Sequence, residues 1–220
     1  MIESPDGKNK MDEYQYTKDW FLHNTKKVWD QLIPQINPTR ILEIGTYEGA
    51  SVCYLIDLFS KSKSIEIHCI DTWEGGIEHQ TGGTAESNMS DVEQRFLYNT
   101  NISLSNASNK ATLICHKGYS DKELIKLLSE DKQGYFDFIY VDGSHQAPDV
   151  LCDAILSFKL LRKNGVIAFD DYLWSEITPY GIDPIRSPKV AIDAFTNIFC
   201  RKIRILSSPI HQLYMQKISD

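Results

Sequence analysis

The chain has no CxxC pair. Its five cysteines, at 53, 69, 115, 152 and 200, stand far apart and are odd in number, which argues against a disulfide framework or a zinc knuckle and leaves them as small buried hydrophobes. It has no uninterrupted apolar run approaching 18 residues, so no membrane span is expected. The opening residues, MIESPDGKNKMDEYQY, lack the apolar core of a signal peptide, which points to a cytoplasmic protein and removes any weight from the Asn-x-Ser triplets at 88, 101 and 106. There is also no cluster of lysines or arginines. With a formal net charge of −7, neither nucleic acid nor an anionic membrane surface is an expected partner.

What is present suits one globular unit: 42% hydrophobic residues in a chain of 220, enough for a single sizeable core. Residues 11–33 are helical in pattern and rich in aromatics, including Trp20, Phe21 and Trp29, before Pro34 and Pro38 interrupt them. Strands are expected at 40–45, 65–71, 111–118, 137–142 and 165–170. Helices are expected between them at 49–60, 89–102, 120–128 and 147–163. Ser120 and Glu123 stand at capping-box spacing, Arg162 and Lys163 suit the negative end of a helix dipole, and Asn164-Gly165 reads as its stop. A loop at 172–188, a helix at 189–199 and strands near 202–207 and 211–218 complete the chain. Such alternation predicts an α/β, Rossmann-like doubly wound sheet of about seven strands, mostly parallel. One strand near the C-terminus should be antiparallel, because SSPIH is too short for a crossover.

In such sheets, ligands sit beyond the carboxyl ends of the strands, where strand order reverses. EIGTYEG (43–49) puts Gly45 and Gly49 around the first strand-to-helix turn, in GxxxG rather than GxGxxG form and without the GK[ST] of a phosphate loop. Alone it also fits glycines that merely ease a tight turn. Asp71 ends the second strand, where a carboxylate can accept the hydroxyls of a ribose, although a loop or helix-cap aspartate fits the same position. DFIYVDGSHQ (137–146) and GVIAFDDY (165–172) both run from apolar strand into aspartate, and buried carboxylates are costly unless neutralised.

Together, EIGTYEG, the acid of CIDTW, HKGYSD, VDGSH and FDDY resemble class I S-adenosylmethionine-dependent methyltransferases. The similarity is to the metal-dependent O-methyltransferase branch that includes macrolide-sugar methyltransferases and relatives of cephalosporin-biosynthesis enzymes, over about residues 40–172. The resemblance implies that Glu43 and Gly45 border the methionine part of the cofactor, with Thr46, Gly49 and Ser51 from the same turn. It implies that Asp71 holds the ribose with Thr72 and Trp73 beside it, that Tyr119 and Ser120 border the adenine, and that Asp142 touches the cofactor as well. Asp142, Asp170 and Asp171 match the branch's Mg²⁺ ligands, and His145 matches its proposed base, with Asp142 also in the catalytic set. The expected division is a methyltransferase domain over residues 39–220 behind an N-terminal helical lid or packing segment at 1–38.

The chemistry of the residues agrees. Three carboxylates crowded on one edge repel unless a hard dication neutralises them, and an all-oxygen set suits Mg²⁺. His145 has a natural pKa near working pH and is suited to take a hydroxyl proton, although a plain helix-start histidine fits the position too. The loops at 72–90 and 172–188, carrying Trp73, His79 and Trp174, would roof the pocket. The expected function is methyl transfer from S-adenosylmethionine to a hydroxyl of a small-molecule acceptor. The alternatives are a non-catalytic nucleoside-binding or assembly protein of the same fold, a metal-dependent phosphohydrolase, or an NAD-dependent oxidoreductase, for which a third glycine and a Tyr/Lys pair are missing. A homo-oligomer is the default expectation.

Overall fold

A computed structural model of the chain describes residues 13–220; the portions of the expected 11–33 helix and 1–38 segment that fall on residues 1–12 lie outside the described residues. The strands are β1 (Arg40–Ile44), β2 (Ile65–Asp71), β3 (Ala111–Lys117), β4 (Phe136–Val141), β5 (Leu161–Phe169), β6 (Ile203–Leu206) and β7 (Leu213–Lys217). The helices are α1 (Lys26–Ile36), α2 (Ala50–Phe59), α3 (Met89–Ser105), α4 (Ser120–Ser129), α5 (Ala147–Leu160) and α6 (Pro188–Ile198). The strands form one sheet in the order β3-β2-β1-β4-β5-β7-β6. The first five pair in parallel, and β7 runs antiparallel between β5 and β6, as the short connection requires.

A parallel sheet covered on both faces needs strands that are apolar on both sides, and every residue of β4 is buried. Leu42, Ile44, Ile139, Ile167 and Phe169 face α4, α5 and α6, whereas Ile41, Phe138, Tyr140, Val166 and Ala168 face α1, α2 and α3. Each of the Val, Leu, Ile and Phe side chains contributes roughly 1.5–3 kcal/mol when fully buried, so the two layers fix which helices cover which face of the sheet. Strand order reverses between β1 and β4, which places the crevice at the carboxyl ends of these two strands. No helix among the described residues is long and apolar enough to cross a membrane.

Four local expectations need correction. The N-terminal helix is shorter at its start and longer at its end: residues 13–19 are not helical, a π turn spans Phe21–Thr25, and α1 continues through Pro34 to Ile36, ending at Asn37 in the left-handed region. Pro34 has no N–H to give to the carbonyl of Asp30, so the helix forgoes that one bond in its last turn. Helix α5 stops at Leu160, not 163, because buried Leu161 already pairs with Phe136 in the sheet. Arg162 then points to Asp137 instead of serving a helix dipole, and Asn164-Gly165 lies within β5, where the register with β4 shifts. The Ser120/Glu123 box does not form: Tyr119 is the N-cap without a side-chain bond, and the Ser120 hydroxyl bonds Asp153. Finally, the 172–188 loop holds a two-residue β-hairpin, Ile177–Thr178 with Gly181–Ile182, and a 3₁₀ turn, Pro184–Arg186.

Candidate active site

The sheet ladder continues one step past the strands and thereby draws their ends together. Gly45 N–H donates to Ile70 O (2.9 Å), Asp142 N–H to Ile44 O (2.8 Å) and Asp170 N–H to Val141 O (3.0 Å). Gly45 has φ +79°, and a Cβ there would lie 2.0 Å from the carbonyl oxygen of Asp142, so only glycine permits this approach of β1 to β4. Asp71, at the end of β2, is held by the turn it faces. Its Oδ2 accepts from the amides of Thr46 (2.8 Å) and Tyr47 (3.1 Å), and its Oδ1 from Trp73 (2.7 Å). The carboxylate therefore already has partners of its own and presents itself part-buried at the mouth of the turn.

Glu43 is buried beside it. Ser51 Oγ donates to Oε1 (2.5 Å), while Oε2 has no partner among the described residues. Burial, with the charges of Asp71 and Asp170 adding, outweighs the Ser51 bond and pushes the Glu43 carboxyl up to about 8. Asp142 is raised well above the usual carboxylate range by burial and by the neighbouring Asp170, Asp171 and Glu43. Asp170 is raised by burial and Asp171, opposed by its own hydrogen bonds. Those bonds use its oxygens: Tyr140 hydroxyl, Gln212 Nε2 (3.0 Å), the Asp171 amide (2.8 Å) and, at 3.4 Å, Thr25 Oγ1.

His145 stands across from these acids. Its Nε2 lies 2.9 Å from Asp171 Oδ2, and its Nδ1 lies 3.2 Å from Glu78 Oε1 without the alignment of a hydrogen bond. Burial lowers its pKa, but the two carboxylates outweigh that and hold it up at about 9. Trp174 stacks on the imidazole with ring centroids 4.2 Å apart. Ligand atoms of Asp142, His145 and Asp171 all come within 4.8 Å of one another, which makes these three the metal-capable cluster among the described residues.

One cavity of about 970 Å³ collects nearly all the expected residues. Glu43, Gly45, Thr46, Ser51, Asp71, Thr72, Tyr119, Ser120, Asp142, His145, Asp170 and Asp171 line it, with His79 and Trp174. Gly49 and Trp73 do not. The Cβ position of Gly49 faces the Phe96 ring at 2.9 Å, and Trp73 is buried against Phe96 with its Nε1 donating to Tyr47 O, so both serve the packing of α3 under the turn. Asp170 lines the cavity but is outside the metal-capable cluster, its oxygens being taken by protein donors. Sequence reasoning missed Glu78, Tyr140 and Gln212. Glu78 sits in a polar loop without a motif, and the other two look like ordinary strand residues; only their meeting with His145 and Asp170 gives them a role.

A protein-family model described as a methyltransferase domain matches residues 42–172. The chain is 25% identical over 152 residues to the "Probable caffeoyl-CoA O-methyltransferase 3" of Dictyostelium discoideum, covering 69% of this chain and 51% of that protein. It is 31% identical over 131 residues to an uncharacterized protein of Acanthamoeba polyphaga mimivirus, covering 60% of this chain and 50% of the relative. The chain thus spans about half the length of these curated relatives. Among solved structures, the O-methyltransferase from Bacillus cereus in complex with SAH superposes with a TM-score of 0.57 at 19% identity, over 89% of this chain and 81% of that one.

Proposed function

The chain belongs to the methyltransferase-domain family whose model spans residues 42–172, and from that premise we propose that it is a class I O-methyltransferase that transfers the sulfonium methyl of S-adenosylmethionine to a hydroxyl of a small-molecule acceptor. The observation that carries this reading is the meeting of Gly45, Glu43, Asp71, Asp142, His145 and Asp171 in one cavity at the β1/β4 reversal. The Gly45 turn lets backbone approach the cofactor, Asp71 faces its ribose, and Glu43, with Oε2 unpartnered, faces its cationic methionine end. We take residues 39–220 as the catalytic unit. The segment before it contributes Tyr16, Trp20, Phe21 and Thr25 to the cavity wall, which suits a cover that excludes water.

The donor set fits a hard divalent cation such as Mg²⁺. Carboxylates of Asp142 and Asp171 have oxygens to offer, Asp142 is raised by burial and by the acids around it, which a cation would relieve, and Asp170 stands behind them with its oxygens held by Gln212 and the Asp171 amide. When bound there, such an ion would polarise an acceptor hydroxyl and ease its deprotonation. His145 is proposed as the group that takes that proton, its Nε2 pointing between Asp171 and the cavity and its ring held flat by Trp174. Asp171 and Glu78 favour the protonated imidazole, and an acceptor hydroxyl or a cation competing for those carboxylates would free Nε2 to act as a base.

Calorimetric titration with S-adenosylhomocysteine tests the reading: binding is expected, and Asp71→Ala should weaken it by at least tenfold, roughly the value of a charged hydrogen bond. Absence of binding to the intact protein removes the proposal. Titration with Mg²⁺ alone is expected to give heat that Asp142→Asn abolishes.

A further inference from the structure

We infer that Asp153 recognises the base of the bound nucleoside, accepting a hydrogen bond from the exocyclic amino group of adenine. The inference rests on the proposed cofactor, and it concerns an acid that no strand-end pattern marks. Asp153 lies on α5 and is 1% exposed, yet it lines the cavity beside Tyr119, Ser120 and Gly143. Its carboxyl accepts a hydrogen bond from the Ser120 hydroxyl, while Oδ1 has no partner among the described residues. An acid buried with one oxygen unmatched is costly, and its neighbours Asp149 and Asp121 raise the cost instead of relieving it.

The surroundings suit a flat base with a donor on its edge. Gly143 forms the adjoining wall: a Cβ there would lie 3.1 Å from Ile44 Cγ2 and 3.9 Å from Asp153 Oδ2, so a larger residue would fill the approach to the carboxyl. Tyr119 stands at the rim with its ring more than half exposed and its hydroxyl fixed to Glu74 Oε2 (2.9 Å), a ready stacking surface. Asp71, the acid expected at the ribose, sits at the end of β2 and lines the same cavity as Ser120 and Asp153, which the packed α4–α5 pair carries, so ribose and base have their acids within one hollow. An adenine amino group would supply the missing partner. Hypoxanthine carries a carbonyl oxygen at that position and would set it against the lone pairs of the carboxylate.

The test is calorimetric titration of the full chain with S-adenosylhomocysteine and with its inosine counterpart. The wild type is expected to prefer the adenine compound by roughly 10- to 100-fold, the value of one hydrogen bond to a charged group. Asp153→Asn, whose amide offers a donor as well as an acceptor, should narrow that preference to a few-fold, chiefly by improving the inosine compound. A variant that binds S-adenosylhomocysteine and keeps the wild-type preference overturns the inference while leaving the cofactor reading in place. Failure of the wild type to bind either compound overturns both. Should Asp153→Asn lose its thermal unfolding transition, Asp153→Ser provides the same measurement with the same expected narrowing. A merely structural Asp153 would change stability without moving the ratio between the two compounds.

Discussion

Asp137 and Glu43 are both buried carboxylates, yet they sit at opposite edges of the sheet and behave oppositely. At the amino end of the parallel strands, Asp137 accepts from the amides of Thr39 (2.8 Å) and Arg40 (2.8 Å), from the Thr39 hydroxyl (2.7 Å) and from Arg162. Burial alone would raise it, but these donors outweigh burial and push the carboxyl down to about 2. At the carboxyl end, Glu43, Asp142 and Asp153 all lie above the usual range, with burial the leading cause, and Glu43 and Asp153 each keep an oxygen without a partner among the described residues. One edge is complete within the protein. The other is complete only when something cationic or hydrogen-donating arrives, and that contrast is the physical signature of a site as opposed to a structural brace.

The sharpest way to break the contrast is to neutralise an acid at each edge. Asp142→Asn is expected to cut methyl transfer by on the order of 10²–10³, as losing one charge aimed at the reacting centre does. The melting temperature of the ligand-free protein should hold or rise, because a crowded like charge has gone. Asp137→Ala should do the reverse. It leaves the Thr39 and Arg40 amides without an acceptor and costs about 3 kcal/mol of stability, read by urea unfolding, with the cofactor affinity of the folded fraction unchanged. If Asp142→Asn proved the destabilising one, the two edges would not differ as argued.

A pH series sharpens the comparison further. A carboxyl whose folded pKa is raised keeps its proton in the folded state after the unfolded chain has lost it, so its contribution to stability falls as pH rises. For Glu43 that window runs from about 4.3, the ordinary glutamate value, to about 8. Glu43→Gln should therefore gain on the wild type as pH is raised from 5 to 8, in paired unfolding curves, and the gap should shrink when S-adenosylhomocysteine is present. Asp137 works the other way: its contribution is full above the ordinary aspartate value and is lost as pH falls toward about 2. His68 adds an opposite slope to the whole protein. Burial lowers its pKa, so it weakens the fold as pH drops below about 6.5, which is why the paired difference and not the raw curve is the measurement.

The carboxyl edge was the more legible of the two. Strand-to-loop transitions at Asp71, Asp142 and Asp170 are visible because an apolar run that ends in acid has few cheap structural explanations, and the alternation of elements places those ends together. What the acids do at that edge was less legible. Asp170 and Asp171 are neighbours in sequence, but backbone direction sends one into the Tyr140–Gln212 bonds and the other, at φ +51°, toward His145. Glu78 reaches His145 only through the path of a loop without periodicity. Asp153 reads as one more polar residue on an amphipathic helix, because helical spacing says which face it shares but not that the cavity passes behind it. The same blindness produced the helix extended to 163: Arg162 and Lys163 look like dipole partners until the Leu161–Phe136 pairing is seen.

The smallest effect is expected at Ser120, where sequence and structure assign one hydroxyl to two different jobs. As half of a capping box it would hold the start of α4, and Ser120→Ala would cost about 1 kcal/mol at any pH. In the structure the cap is the extended backbone of Tyr119 without a side-chain bond, Ser120 is already inside the helix, and its hydroxyl serves Asp153. Alanine is a good helix former, so the local cost should be near zero. The loss of the bond to Asp153 matters only while that carboxyl is ionised, and burial pushes it up to about 7. Ser120→Ala should therefore leave stability at pH 5.5 within a few tenths of a kcal/mol of the wild type and lower it by about 1 kcal/mol at pH 8. Equal losses at both pH values would return the hydroxyl to the helix cap and leave Asp153 without the partner on which its place in the comparison depends.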